Sequence, residues 1–136
     1  MKKLLFLFIL FGLWACTHDE RSQLSSHIEY LPIDSATLPV QFKRDSIYEI
    51  PLQYIRPTTC HLYEGLYYAK NSNIRTIAVV TSVLEQDNCT VAPINPLTVT
   101  LSFKPTTESS YVIRLWKGKD ASGQNIYQDT TIPVVP

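Results

Sequence analysis

Leu97-Thr98-Val99-Thr100-Leu101-Ser102-Phe103 alternates apolar and hydroxyl side chains without a break. Successive side chains of an extended chain point to opposite faces, so this stretch has one apolar and one polar side. It reads as a strand that covers a core on one face and meets water on the other. Pro105 and the polar run Thr106 to Ser110 end it. The same period returns at Tyr111 to Trp116, with Tyr111, Ile113 and Leu115 on one face and Val112, Arg114 and Trp116 on the other. Lys117 to Asn125 sets Gly118 and Gly123 around Asp120 and Ser122, a loop of turn-forming residues, and Ile126 to Val134 is the last strand.

Upstream, Ile74 to Leu84 is the longest β-branched run. Ile77, Val79 and Val83 fall on one side, and Ile74, Ala78, Val80 and Leu84 on the other. Such a strand is buried on both faces. Cys60 to Ala69 admits two readings, because Leu62, Tyr63, Leu66 and Tyr67 also fit a helical stripe. Its neighbours favour a strand. Ser46 to Ile55 alternates, with Pro51 on its polar face marking an unpaired side or a bulge. Ile28 to Leu31 and Leu38 to Phe42 are short strands broken by Pro32 and Pro39. About seven or eight short strands separated by turn signals predict an all-β, antiparallel β-sandwich. The closing pair, Tyr111 to Val134 around a Gly-x-Asp-x-x-Gly turn, resembles the last hairpin of immunoglobulin-like domains in bacterial extracytoplasmic proteins. That resemblance implies an immunoglobulin-like sandwich and no activity.

The N-terminus carries a different signal. Lys2 and Lys3 precede the unbroken apolar run Leu4 to Ala15, then Cys16 and the polar Thr17-His18-Asp19-Glu20. Charge followed by a short apolar run is the layout of a secretory signal peptide. The run is well short of the roughly 20 residues a membrane-spanning helix needs. Leu13-Trp14-Ala15-Cys16 resembles the bacterial lipobox at Leu13, Ala15 and Cys16, while Trp14 stands where a small residue is usual. The resemblance implies cleavage after residue 15 and lipidation of Cys16, with palmitate-type chains anchoring an outer-membrane lipoprotein. Asp19 and Glu20 resemble the acidic export signal of some Gram-negative surface lipoproteins, and they equally suit the start of a solvated linker. The expected organisation is a signal peptide over residues 1–15, a lipidated Cys and flexible tether over 16–26, and a sandwich over 27–136.

About 120 residues remain after such cleavage, which is one domain with room for a core. Lys2 and Lys3 leave with the leader, so the remainder is slightly acidic. That charge makes no case for nucleic acid. Only Gly65, Gly118 and Gly123 lie beyond the leader, too few and too scattered for a phosphate-binding loop.

With Cys16 lipidated, Cys60 and Cys89 form an even pair in an oxidising compartment. A disulfide is the simplest reading; free thiols and a metal or redox role are the others. Cys60-His61 with Glu64 nearby invites a nucleophile or metal, but neighbours on a strand point to opposite faces. Zinc needs three or four converging ligands. Asp120, Ser122 and Asn125 could hold calcium weakly, or serve as turn residues. No acid, base and nucleophile stand in a recognisable motif, so the expectation is a protein without catalytic residues, metal or cofactor. Tyr63, Tyr67, Tyr68 and Trp116 are the best ligand-surface candidates, since exposed aromatics stack on sugars or anchor proteins. Core packing is the competing role for each. The expected function is a lipid-anchored envelope or surface protein that binds a protein partner or supports an assembly. The alternative is a carbohydrate- or small-ligand-binding module.

Overall fold

The computed structural model describes residues 24–136. The leader, Cys16 and most of the tether lie outside the described residues. Among the described residues nine strands follow one another with no helix: β1 (Ser26–Leu31), β2 (Ser35–Ala36), β3 (Phe42–Lys43), β4 (Tyr48–Tyr54), β5 (His61–Asn71), β6 (Ile74–Leu84), β7 (Leu97–Phe103), β8 (Ser110–Lys119) and β9 (Asn125–Val135). Six of them form one sheet, β1, β3, β5, β6, β8 and β9, and β2-β4-β7 form the other. The chain is a two-layer β-sandwich.

The core lies between the sheets. From the larger sheet come Leu31, Phe42, Ile77, Val79, Tyr111, Ile113, Leu115 and Ile132; from the smaller, Ile50, Leu52, Tyr54, Leu101 and Phe103. Phe42, Phe103 and Tyr111 form an aromatic knot, with Phe103 4.9 Å from Phe42 and 5.0 Å from Tyr111 between centroids. The Tyr111 hydroxyl accepts the Thr106 N–H at 3.0 Å. A tyrosine tied to backbone just upstream of its own strand is the tyrosine-corner device of Greek-key sandwiches.

β6 is the hub. β5 pairs it antiparallel along its full length on one side. On the other side β1 pairs Val79–Leu84 and β8 pairs Ile74–Ile77. β1 leaves β6 at Pro32 and crosses between the sheets, because proline cannot donate to a ladder. Ile33 N–H then donates to Trp116 O at 3.0 Å and Asp34 N–H to Gln53 O at 2.7 Å, the second bond already in the other sheet. Lys117 Nζ caps the crossing, donating to the carbonyls of Ile33 and Asp34, both at 2.7 Å. β8 occupies the length of β6 that β1 vacates.

Two pairings depart from the antiparallel expectation: β6 with β8, and β3 with β9, are parallel. Both join strands distant in sequence, which no local turn constrains. The strand expected over Leu38 to Phe42 is replaced by two-residue strands on either side of it, and these raise the count to nine. In the last hairpin, β8 runs on to Lys119 and β9 starts at Asn125, which shortens the expected loop. A bulge between Trp116 and Gly118 absorbs one residue, and Gly118 there has φ 101°, a backbone state that side-chain-bearing residues rarely adopt.

Candidate functional site

The outward faces of the two sheets differ in chemistry. The smaller sheet presents Glu49, Gln53, Thr98, Thr100 and Ser102, all exposed and all polar. The larger sheet presents aromatic rings. On β6, Ala78 and Ser82 point outward and are still buried, although no third layer among the described residues covers them. Large side chains from the flanking strands lean over these small ones. This is how β6 becomes buried on both faces, as its sequence predicts.

The rings stand around a groove. Tyr30 on β1 and Tyr67 on β5 meet edge to face, 5.7 Å apart at an interplanar angle of 87°. Trp116 on β8 pairs across the hairpin with Tyr127 on β9. Thr76 and Ala78 on β6 lie between the two aromatic pairs, and their small side chains leave a cavity of about 630 Å³ with Lys119 and Asn125 at its border. Tyr30, Tyr67 and Tyr127 are between 43 and 48% exposed, so a substantial part of each ring is available to a ligand. A concave, mainly apolar site of a few hundred Å³ with a few polar groups is the usual form of a small-ligand pocket.

Polar bonds fix the rings. Trp116 Nε1–H donates to Asn125 Oδ1 at 3.0 Å. Arg114 makes a two-point bridge to Asp129, at 2.8 and 2.7 Å, and its guanidinium lies 5.4 Å from the Tyr127 centroid. The bonds to Arg114 hold the Asp129 carboxyl below the usual carboxylate range, and Asp129 in turn raises the Arg114 guanidinium. Arg114 is thus committed to Asp129 and stiffens the Tyr127 wall.

Of the four aromatics predicted from the sequence, the structure brings Tyr67 and Trp116 together. Tyr63 and Tyr68 belong elsewhere. A bulge between Tyr63 and Gly65 shifts the register of β5 against β6, so Tyr63, Leu66 and Tyr68 all turn inward and Tyr67 turns outward. Tyr63 sits 6.2 Å from buried Tyr54. Tyr68 packs against the core, where burial pushes its hydroxyl pKa up despite the neighbouring Arg75. Strand parity around Gly65 is the signal that separates these tyrosines. Tyr30 and Tyr127 escape the sequence reading because each lies in a segment with weak alternation.

At the opposite edge of β5, Cys60 and Cys89 are bonded, with Cα atoms 5.5 Å apart. The bridge joins the entry of β5 to the loop after β6, two antiparallel neighbours. His61 is buried beside it. Its Nδ1 lies 2.8 Å from Thr58 Oγ1 and its Nε2 3.3 Å from Glu29 Oε2. Thr58 Oγ1 also accepts the Cys60 N–H at 3.2 Å, so this hydroxyl is engaged in holding the turn into β5. Asp120 is likewise used by its turn: Oδ1 accepts Ser122 N–H, Ser122 Oγ–H and Gln124 N–H at 2.8, 2.6 and 2.9 Å. Among the described residues no group of three His, Cys, Asp or Glu side chains converges as a metal site.

No family model, curated protein or solved structure matches this chain.

Proposed function

We propose that the chain is a non-enzymatic, lipid-anchored binding module of the cell envelope whose aromatic groove takes a neutral carbohydrate. The contrast between the two outer faces carries this reading: the smaller sheet is polar but for Pro51, and the larger sets three half-exposed tyrosines and the more covered Trp116 around a floor of small residues. Sugar rings present apolar C–H faces to aromatics and hydroxyls to groups such as Asn125 and Lys119, and this groove offers both kinds of surface. Glu29 also borders the groove, where its Oε2 lies 3.3 Å from Nε2 of the buried His61. Envelope attachment rests on the Lys2-to-Cys16 leader and accords with the Cys60–Cys89 bridge, a feature of oxidising compartments.

A protein partner is the second reading. Ile28, at the groove, and Leu62, beyond it, flank Ser82 on the same outer face, 59 and 42% exposed, and continue the apolar surface.

Tryptophan fluorescence of the full chain in detergent, titrated with α- and β-linked hexose oligosaccharides, tests the first reading. A saturable change is expected that is weakened in Tyr67→Ala and Tyr127→Ala and kept in Tyr63→Ala. No response to any oligosaccharide, or an equal loss in Tyr63→Ala, overturns it. A stoichiometric protein recovered from solubilised membranes, and lost in Leu62→Asp, would favour the second reading.

A further inference from the structure

The edges of the two sheets are guarded unequally. A free strand edge invites another strand, and proteins blunt it with short length, charge, proline or a bulge. β2 and β3, at two of the edges, are two residues long. β5 is long, but carries Glu64, Lys70 and the bulge beside Gly65. β7 has none of these devices. Its seven residues contain neither charge nor proline, and they pair with β4 in unbroken register. Among the described residues no strand pairs its other side.

The register shows which backbone groups are unpaired. The carbonyls of Pro51 and Gln53 face β2, accepting the N–H groups of Thr37 and Asp34 at 3.1 and 2.7 Å. The alternate β4 residues therefore face β7, opposite Leu97, Val99, Leu101 and Phe103. That leaves the N–H and C=O of Thr98, Thr100 and Ser102 directed at the free edge.

We propose that this edge pairs antiparallel with the β7 edge of a second copy, about a two-fold axis at Thr100. The strand is its own complement there, since hydroxyl and apolar positions read the same in both directions from Thr100. Thr98 meets Ser102 of the second copy and Thr100 meets its own equivalent, pairs that suit cross-strand hydroxyl contacts. Leu97 meets Phe103 and Val99 meets Leu101 on the core side. Pro96 and Pro105, which could not donate, fall outside the overlap. The two three-stranded sheets become one sheet of six, an isologous contact.

Thr100→Cys places two thiols on the axis, within the Cα spacing a disulfide spans. The full chain carrying it, oxidised in detergent, is expected to give a reducible band of twice the monomer mass. Val40→Cys, at a fully exposed position off this edge, is expected to give none above wild type. Sedimentation of the wild-type chain is expected to report a concentration-dependent dimer, absent in Thr100→Lys, where two like charges meet, and in Thr100→Pro, which removes only an N–H that faces the free edge. A dimer that survives Thr100→Lys, equal crosslinking by Val40→Cys, a wild-type monomer at every concentration, or Thr100→Cys adducts only of another mass would each overturn the proposal. Unchanged far-ultraviolet circular dichroism in the variants excludes misfolding as the cause of a lost dimer.

Discussion

Tyr111 sets its ring among the core aromatics and its hydroxyl against Thr106. Burial alone would push its pKa up, but the bonds from Thr106 bring it below the ordinary tyrosine value. Tyr111→Phe keeps the ring against Phe42 and Phe103 and removes only those bonds, so a loss of about 1 kcal/mol in urea unfolding is expected. The Cys60–Cys89 bridge has a larger effect. It closes a loop with a sequence separation of 29, and on the chain-entropy account it stabilises by about 3 to 4 kcal/mol. Cys89→Ser, or reduction of the wild-type chain, is expected to lower the thermal midpoint sharply while Tyr111→Phe lowers it slightly. Side by side, the two variants rank the cross-link against the tyrosine corner.

At the scale of elements, the β8–β9 hairpin depends on two carboxylates. Ser122 and the backbone amides of its turn hold Asp120 below the usual carboxylate range, and Arg114 does the same for Asp129. A carboxylate with a depressed folded pKa stabilises above its unfolded value, about pH 4, and that contribution is lost as pH falls through the folded value. Amide resonances of Asp120 to Gln124 and of Tyr127 are therefore expected to shift below about pH 4 in wild type, with the turn group losing that response in Asp120→Asn. Gly118→Ala has room for its Cβ, the nearest side-chain atom being Pro32 Cβ at 4.0 Å, so its cost comes from the positive φ, about 1 to 2 kcal/mol. β6, β7 and β8 were legible in the sequence because period-two patterning follows directly from which face is buried. β5 was legible only in part, since the register shift beside Gly65 inverts the faces that Tyr63 and Tyr67 share in a regular strand. β2 and β3 are too short to carry any period; the crossing after β1 brings β2 to β4, and β3 pairs with the distant β9. Trp116 and Tyr67 could be named in advance, but their meeting with Tyr30 and Tyr127 depends on strand order, which periodicity does not encode.

For the molecule as a whole, the groove exists because β6 offers small side chains between larger ones. Thr76→Leu adds bulk to that floor without touching the core. It is expected to weaken oligosaccharide binding about tenfold in the fluorescence titration while unfolding changes by less than about 0.5 kcal/mol, as for other surface positions. Strand direction has a further result. The described chain begins beside the end of β6, where Ser26 pairs with Leu84. A two-fold axis through Thr100 stands perpendicular to the sheets, so the two tethers would leave at opposite ends of the pair. Were both chains anchored in one bilayer as proposed, that axis would stand upright on the membrane, with both sandwiches lying flat and both grooves opening on the same side. A polymer with repeating units would engage two sites at once. Avidity for long chains over short ones would then come from the orientation of β7 alone, with no change in either groove.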